Sequence, residues 1–140
     1  MIIQTFDENT LGLDYVIGDI HGCFSRLEEE LRDLEFNADT DRLFCVGDLV
    51  DRGPESLDFF EWLAKPWFFS VRGNHDQMAI DQVYTNKFTQ GEELYVRNGG
   101  QWFLNLNQAT KRLVADALSE LPIAIEIKTS YGTVGIVHAD

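Results

Sequence analysis

Asp19 and His21 stand two positions apart in the segment Gly18-Asp19-Ile20-His21-Gly22. In extended backbone such a pair projects to one side, where both side chains could hold one metal ion. Glycines at 18 and 22 permit the unusual backbone angles and close approach of a crowded site. Alone, the pentapeptide reads equally well as a strand-to-helix turn capped by Asp19. A second segment, Gly47-Asp48-Leu49-Val50-Asp51-Arg52-Gly53, offers a carboxylate at Asp48 whose two oxygens can bridge two cations. Arg52 follows with a planar fork that suits two phosphate oxygens. A third, Arg72-Gly73-Asn74-His75-Asp76, is the densest. Asn74 carries a neutral hard oxygen for a metal, Arg72 a second phosphate clamp, and His75 a proton donor for near-neutral pH. His138 closes the set. An isolated histidine beside an apolar run is more often a satisfied core residue, so only the other three segments make it a ligand candidate.

Asp19, His21, Asp48, Asn74 and His138 together are a nitrogen and oxygen donor set without thiolates. Such a set suits manganese, iron or zinc better than copper(I) or an iron–sulfur cluster. Two divalent ions about 3.5–4 Å apart can hold a hydroxide between them and neutralise a phosphoryl group, which is the chemistry of phosphate-ester hydrolysis.

These groups need elements that bring them together. Four short apolar runs, Leu13 to Ile17, Leu43 to Val46, Trp67 to Val71 and Val134 to Val137, are rich in β-branched and aromatic residues and read as buried strands. Each ends at one of the four polar segments, so the chemistry gathers at one end of successive strands, where ligands bind in open α/β sheets. Between them, Ser25 with Glu28 forms a capping-box pattern ahead of Leu27, Leu31 and Leu34 on one helical face. Pro54 suits the first position of a second helix with Leu57, Phe60 and Leu63 as its core residues. A third helix is expected after Asp76. Lys111, Arg112 and Asp116 alternate with Leu113, Val114, Ala117 and Leu118 in a further helix that stops before Pro122. Ile123, Ile125 and Ile127 alternate as a strand, and Ser130-Tyr131-Gly132 turns it back into the strand ending at His138. That last pair is antiparallel, which makes the expected sheet a mixed one.

Composition narrows the class. One core fits 140 residues of which 44% are hydrophobic, and no linker or repeat marks a boundary, so residues 1–140 read as a single domain or part of one. Eleven Lys and Arg against 24 Asp and Glu give a formal net charge of -13, which disfavours nucleic acid and anionic membrane surfaces as partners. No apolar run reaches membrane-spanning length, and Met1 to Thr10 lack a secretion-signal pattern, so the expectation is a cytoplasmic monomer. Cys23 and Cys45 have neither metal-ligand nor redox spacing and read as reduced packing residues.

The blocks GDIHG, GDLVDRG and VRGNHD, in that order and followed by His138 in HAD, resemble the calcineurin-like metallophosphatases that include the serine/threonine phosphoprotein phosphatases. The similarity is greatest to the small bacterial and bacteriophage lambda-type branch, and extends to KPWFF around Trp67 and GGQWFLNL around Trp102. It implies a β-sandwich core flanked by α-helices. It also implies that Asp19 and His21 bind one metal, Asp48 bridges, and Asn74 and His138 bind the second, with manganese the first expectation. Arg52 and Arg72 would hold the phosphate of a phosphorylated protein. A metal-bridging hydroxide would attack phosphorus directly, while His75 protonates the leaving alkoxide and Asp51 orients His75. A carboxylate partner fixes an imidazole and stabilises its charged form, as general acid catalysis requires.

Two departures bear on this resemblance. The family continues to a later Gly-His motif that completes the second metal site and to another phosphate-binding arginine, both beyond Asp140. The 140 residues alone are therefore expected to form an incomplete domain that binds the second metal weakly and hydrolyses poorly. Asp76 stands where many members carry Glu, a change expected to matter little. Two rivals remain. Symmetrical diadenosine tetraphosphate hydrolases share GDLV, RGP and GNHD, but tend to have a small residue in place of Asp51 and a glycine in place of Asp140. A metal-binding remnant that keeps the fold without catalysis is the other.

Overall fold

The computed structural model describes residues 2–85 and 88–139. Among the described residues, six strands and six helices follow one another as β1 (Ile3–Phe6), β2 (Asp14–Ile17), α1 (Phe24–Asp33), β3 (Arg42–Cys45), α2 (Phe59–Leu63), β4 (Phe68–Ser70), α3 (Asn74–Tyr84), α4 (Phe88–Arg97), α5 (Gln101–Leu104), α6 (Gln108–Ser119), β5 (Ala124–Thr129) and β6 (Gly132–Val137). The strands form two three-stranded sheets. One is parallel, in the order β2-β3-β4; the other has the order β1-β5-β6, with β1 parallel and β6 antiparallel to β5.

Alternation along β3 explains the layering. Leu43 and Cys45 belong to the larger apolar cluster, with Phe24, Leu27, Leu31, Phe59, Trp62, Val114 and Leu118 from the helices. Phe44, between them in sequence, points the other way and meets Ile125, Ile127 and Ile136 of the second sheet. Phe6 of β1 packs edge-on against Phe44 at 5.1 Å and against Phe69 at 4.5 Å, so aromatic rings join the two sheets. The product is a β-sandwich with helices on one outer face, the architecture expected from the resemblance. The four apolar runs all become strands, and Thr129 pairs with Gly132 across the predicted antiparallel turn.

Several local expectations are corrected. β1 has no apolar run to announce it; it forms because Ile3 to Phe6 pair with Ala124 to Ile127 along the edge of the second sheet. The Ser25–Glu28 capping box does not form: Cys23 is the N-cap of α1 without a side-chain bond. The Glu55 carboxylate does this work instead, accepting from the Ser25 N–H at 3.0 Å and from its hydroxyl. Leu27 and Leu31 are buried as expected, whereas Leu34 lies at the C-cap and is exposed.

After Pro54 the chain makes a 3-10 turn at Ser56–Asp58 before α2, which rotates the face. Phe59 and Trp62 are buried there, and Leu57 and Phe60 are exposed. α3 begins at Asn74 rather than beyond Asp76, so the third polar segment is the first turn of a helix. In α6 the buried residues are Val114, Ala115 and Leu118, while Leu113 is exposed. Its start is fixed by Asn107, whose side chain accepts from the Thr110 N–H at 2.8 Å.

Candidate metal and phosphate site

β2, β3 and β4 are parallel neighbours, so the loops after their C-terminal ends lie side by side. Backbone bonds then stitch the first two together. The N–H groups of Ile20 and His21 donate to the Asp48 carbonyl at 3.1 and 2.9 Å, and the Gly22 N–H to the Leu49 carbonyl at 2.9 Å. The tight path forces left-handed backbone at His21, Asp48, Asp51 and Arg52, with φ of 45°, 55°, 73° and 74°. Non-glycine residues there cost on the order of 1 kcal/mol or more each, and such strain concentrates at functional sites. Gly22, at φ 63°, suits this path; Gly18 has open space around it and needs no glycine for room.

Asp48 is the centre of the site and is 3% exposed. Its Oδ2 lies 3.5 Å from His21 Nε2, which is also 3.7 Å from Asp19 Oδ2. Its Oδ1 lies 3.6 Å from His138 Nε2, which is 2.8 Å from Asn74 Oδ1. The two oxygens of one carboxylate thus face two different imidazoles. Each histidine has its Nδ1 on a backbone carbonyl, Val50 for His21 at 2.9 Å and Val46 for His138 at 2.8 Å. Such a bond fixes the tautomer and leaves the Nε2 lone pair free to ligate.

Donor chemistry therefore supports a cation fit on both sides of Asp48. The Asn74 amide lies 2.8 Å from His138 Nε2, close enough for its oxygen and that imidazole to share one ion. With its nitrogen turned to this side, the same amide reaches His138 Nε2 and both Asp48 oxygens as a donor. Donor atoms of Asp19, Asp48 and His138, and separately of His21, Asp48 and His75, lie within 4.8 Å of one another.

Asp76 holds the second and third loops in register. Its Oδ2 accepts from the N–H of Asp48 at 2.9 Å and of Gly73 at 2.8 Å, and its Oδ1 from the N–H of Leu49 at 2.9 Å. Burial pushes its carboxyl up to about 7, against the pull of those backbone donors. Gly73 is the close approach in this contact: a Cβ there would lie 2.1 Å from Asp48 Oδ1. The His75 N–H donates to that same Oδ1 at 2.9 Å, so the backbone of the third segment orients the central carboxylate.

His75 and Asp51 are joined, with Nδ1 2.9 Å from Oδ2 and the carboxylate fully buried. Arg52 Nη2 lies 3.3 Å from His75 Nε2. Arg72, expected from the sequence as a second phosphate clamp, bonds within the fold. Nη1 donates to Gln77 Oε1 at 3.0 Å, and Nη2 to the carbonyls of Ser119 and Leu121 at 2.5 and 3.2 Å. Its guanidinium thus sits on the carbonyl-rich C-terminus of α6, a favourable place for a cation. Asp140, the second of the two discriminating residues in the sequence, lies outside the described residues.

Residues 15–140 match the family of calcineurin-like phosphoesterases. The chain belongs to that family. Within the calcineurin-like phosphoesterases it is 43% identical, over 130 residues, to serine/threonine-protein phosphatase 1 of Salmonella typhimurium, covering 90% of this chain and 58% of that protein. It is 51% identical over only 65 residues, 44% of this chain and 23% of the other, to a symmetrical bis(5'-nucleosyl)-tetraphosphatase of Salmonella paratyphi B. A crystal structure of a candidate diadenosine tetraphosphatase superposes with a TM-score of 0.64 at 32% identity, covering 90% of this chain and 50% of that one. The chain spans little more than half the length of the phosphatase it matches.

Sequence reasoning left two groups of residues at this site without a role. Asp76 was visible as a departure from the family, but its clasp on two loops depends on the loops' spatial approach. Tyr95 and Trp102 contact Asp51, and only the GGQWFLNL similarity drew attention to Trp102.

Proposed function

We propose that this chain carries the metal-collecting and proton-donating part of a phosphoprotein phosphatase acting on phosphoserine or phosphothreonine, with phosphotyrosine as a further candidate. The observation that carries the reading is the buried Asp51–His75 pair, 2.9 Å apart, beside the Asp48 ligand cluster. A phosphomonoester of serine has a poor alkoxide leaving group and gains from a positioned acid. The long match to a serine/threonine-protein phosphatase supports the same substrate class.

Asp19, His21 and Asp48 would hold one divalent cation, and Asp48, Asn74 and His138 the second; manganese is proposed first, then iron or zinc. Bound there, the pair would supply Lewis-acid polarisation of the phosphoryl group and an ionised water as nucleophile. Arg52 has the part of capturing phosphate oxygens. In doing so it withdraws the hydrogen bond it gives His75 Nε2, and that nitrogen is free to carry a proton. The bond from phosphorus to the serine oxygen breaks as the water oxygen bonds to phosphorus, and the leaving oxygen takes the Nε2 proton. Asp51 keeps His75 aimed through Nδ1. A phosphate role for Arg72 would require it to exchange its bonds to Ser119 and Leu121 for phosphate oxygens.

The protein is proposed to work as a cytoplasmic monomer. None of the described helices is long and apolar enough to cross a membrane. Diadenosine tetraphosphate cleavage is the second reading, favoured by the shorter but more identical match.

One experiment tests the proposal in the full-length protein. Metal content, phosphate release from a phosphoserine peptide and cleavage of the dinucleotide are measured for wild type and Asp48→Asn. The expected result is faster peptide hydrolysis than dinucleotide cleavage, lost together with bound metal in the variant. Faster dinucleotide cleavage, or unchanged activity in Asp48→Asn, would sink it.

A further inference from the structure

Both oxygens of the Asp51 carboxylate are taken, and by partners of different kinds. Oδ2 faces His75 Nδ1 at 2.9 Å. Oδ1 accepts from the Tyr95 hydroxyl and from Trp102 Nε1, each at 2.7 Å. The two donors come from α4 and α5, 44 and 51 residues further along the chain, and belong to none of the metal-collecting loops. Asp51 is 0% and Tyr95 1% exposed, so a charge is being kept in a dry place. Such burial is costly unless hydrogen bonds replace water, and an indole N–H can only donate. Burial first, and then the Asp51 charge, hold the Tyr95 phenol well above its ordinary value, so its hydroxyl stays a donor.

The turn between these donors is shaped for the contact. Asn98-Gly99-Gly100 links α4 to α5, and Gly99 adopts φ 95°. Its carbonyl accepts the Arg52 N–H at 3.1 Å. A Cβ on Gly99 would lie 2.6 Å from the Arg52 side chain, and one on Gly100 would lie 2.4 Å from the Tyr95 ring. The α4–α5 unit is therefore moulded onto the Asp51-Arg52 loop, with two side-chain donors aimed at one oxygen.

We infer that Tyr95 and Trp102 are positioning residues for the proposed phosphomonoester hydrolysis, fixing the Asp51 carboxylate so that its other oxygen holds His75 as proton donor to the leaving group. With both donors on Oδ1, the carboxylate cannot turn about its Cβ–Cγ bond without breaking two bonds to an anion. His75 then has one partner and one direction. The inference rests on the phosphatase reading, and it has a signature that general loss of structure lacks. A serine alkoxide leaves only when protonated, whereas p-nitrophenolate leaves without help. Loosening the acid should therefore harm the first substrate and spare the second.

The test uses the full-length protein with saturating Mn2+ and compares kcat and KM on a phosphoserine peptide and on p-nitrophenyl phosphate. Wild type is set against Tyr95→Phe, Trp102→Phe and Asp51→Asn. Each aromatic variant is expected to lose about 10-fold in kcat on the peptide, and Asp51→Asn about 100-fold. On p-nitrophenyl phosphate Tyr95→Phe and Trp102→Phe should stay within about 3-fold, with KM little changed, and Asp51→Asn should lose much less than it does on the peptide, because the step that needs the acid is absent. The ratio of the two substrates is read within each variant, so a partly unfolded sample lowers both equally and leaves the ratio intact. If Asp51→Asn shows the leaving-group selectivity and the aromatic variants do not, the positioning role is overturned. If Asp51→Asn itself is unselective, the general-acid reading fails and the inference with it.

Discussion

Gly73 shows at the residue scale how little room the site has. A methyl group there would meet the Asp48 carboxylate and its backbone nitrogen at 2.1 and 2.3 Å, and neither is the loose end of a flexible side chain. Gly73→Ala must therefore displace the carboxylate that faces both His21 and His138. Such overpacking is expected to cost about 1–3 kcal/mol, read as a lower urea midpoint at unchanged slope. The two thiols differ as sharply. Cys45 is fully buried, and burial pushes its thiol up to about 12, whereas Cys23 is exposed. Native protein mixed with iodoacetamide at pH 8 should take one label, on Cys23; rapid labelling of Cys45 by peptide mass would contradict the burial.

Asp41 matters at the scale of elements, because it ties the entry of β2 to the turn before β3. Its Oδ1 accepts from the Leu13 N–H at 2.8 Å and its Oδ2 from the Asn37 N–H at 2.9 Å. These bonds, Asn37 first and Leu13 next, hold its carboxyl below the ordinary value of 3.8. A carboxyl depressed in the folded state adds stability above its unfolded value, and that stability is lost as pH falls through the folded one. Asp41→Asn should therefore lower the thermal midpoint at pH 7 and flatten its fall below about pH 4, measured by circular dichroism. Equal acid sensitivity in the variant and the wild type would count against this clasp. Helix α1 depends on a similar long-range contact, since Glu55 rather than Glu28 serves its first turn.

The whole molecule is held together where the sheets meet. Phe44 is 0% exposed and lies between the sheets, 5.1 Å from Phe6 and 5.4 Å from Phe69. Phe44→Ala is expected to cost about 3–5 kcal/mol, a large share of the stability of an ordinary domain. Calorimetry would show a much lower midpoint; a shift of only a degree or two would mean that the sandwich interface is not a main source of stability. The site feels this too, because the same strand that places Phe44 between the sheets ends in the loop carrying Asp48.

Much of this protein was legible in order along the chain. Strand-length apolar runs ending near Asp19, Asp48 and Asn74 are local patterns, and parallel pairing of β2, β3 and β4 brings those three ends together. His138 instead follows β6 of the other sheet and reaches them through the packing of one sheet on the other. Side-chain chemistry likewise specified which groups could ligate or donate a proton. What the letters could not contain is direction. Arg72 bonds to the carbonyls of Ser119 and Leu121 at the end of α6, a contact that no motif announces. Asp76 became the clasp of two loops, and Tyr95 and Trp102 found Asp51 from more than 40 residues away. Motifs encode residue types at short spacing, whereas a hydrogen bond depends on where distant segments come to rest. Only tertiary packing decides that.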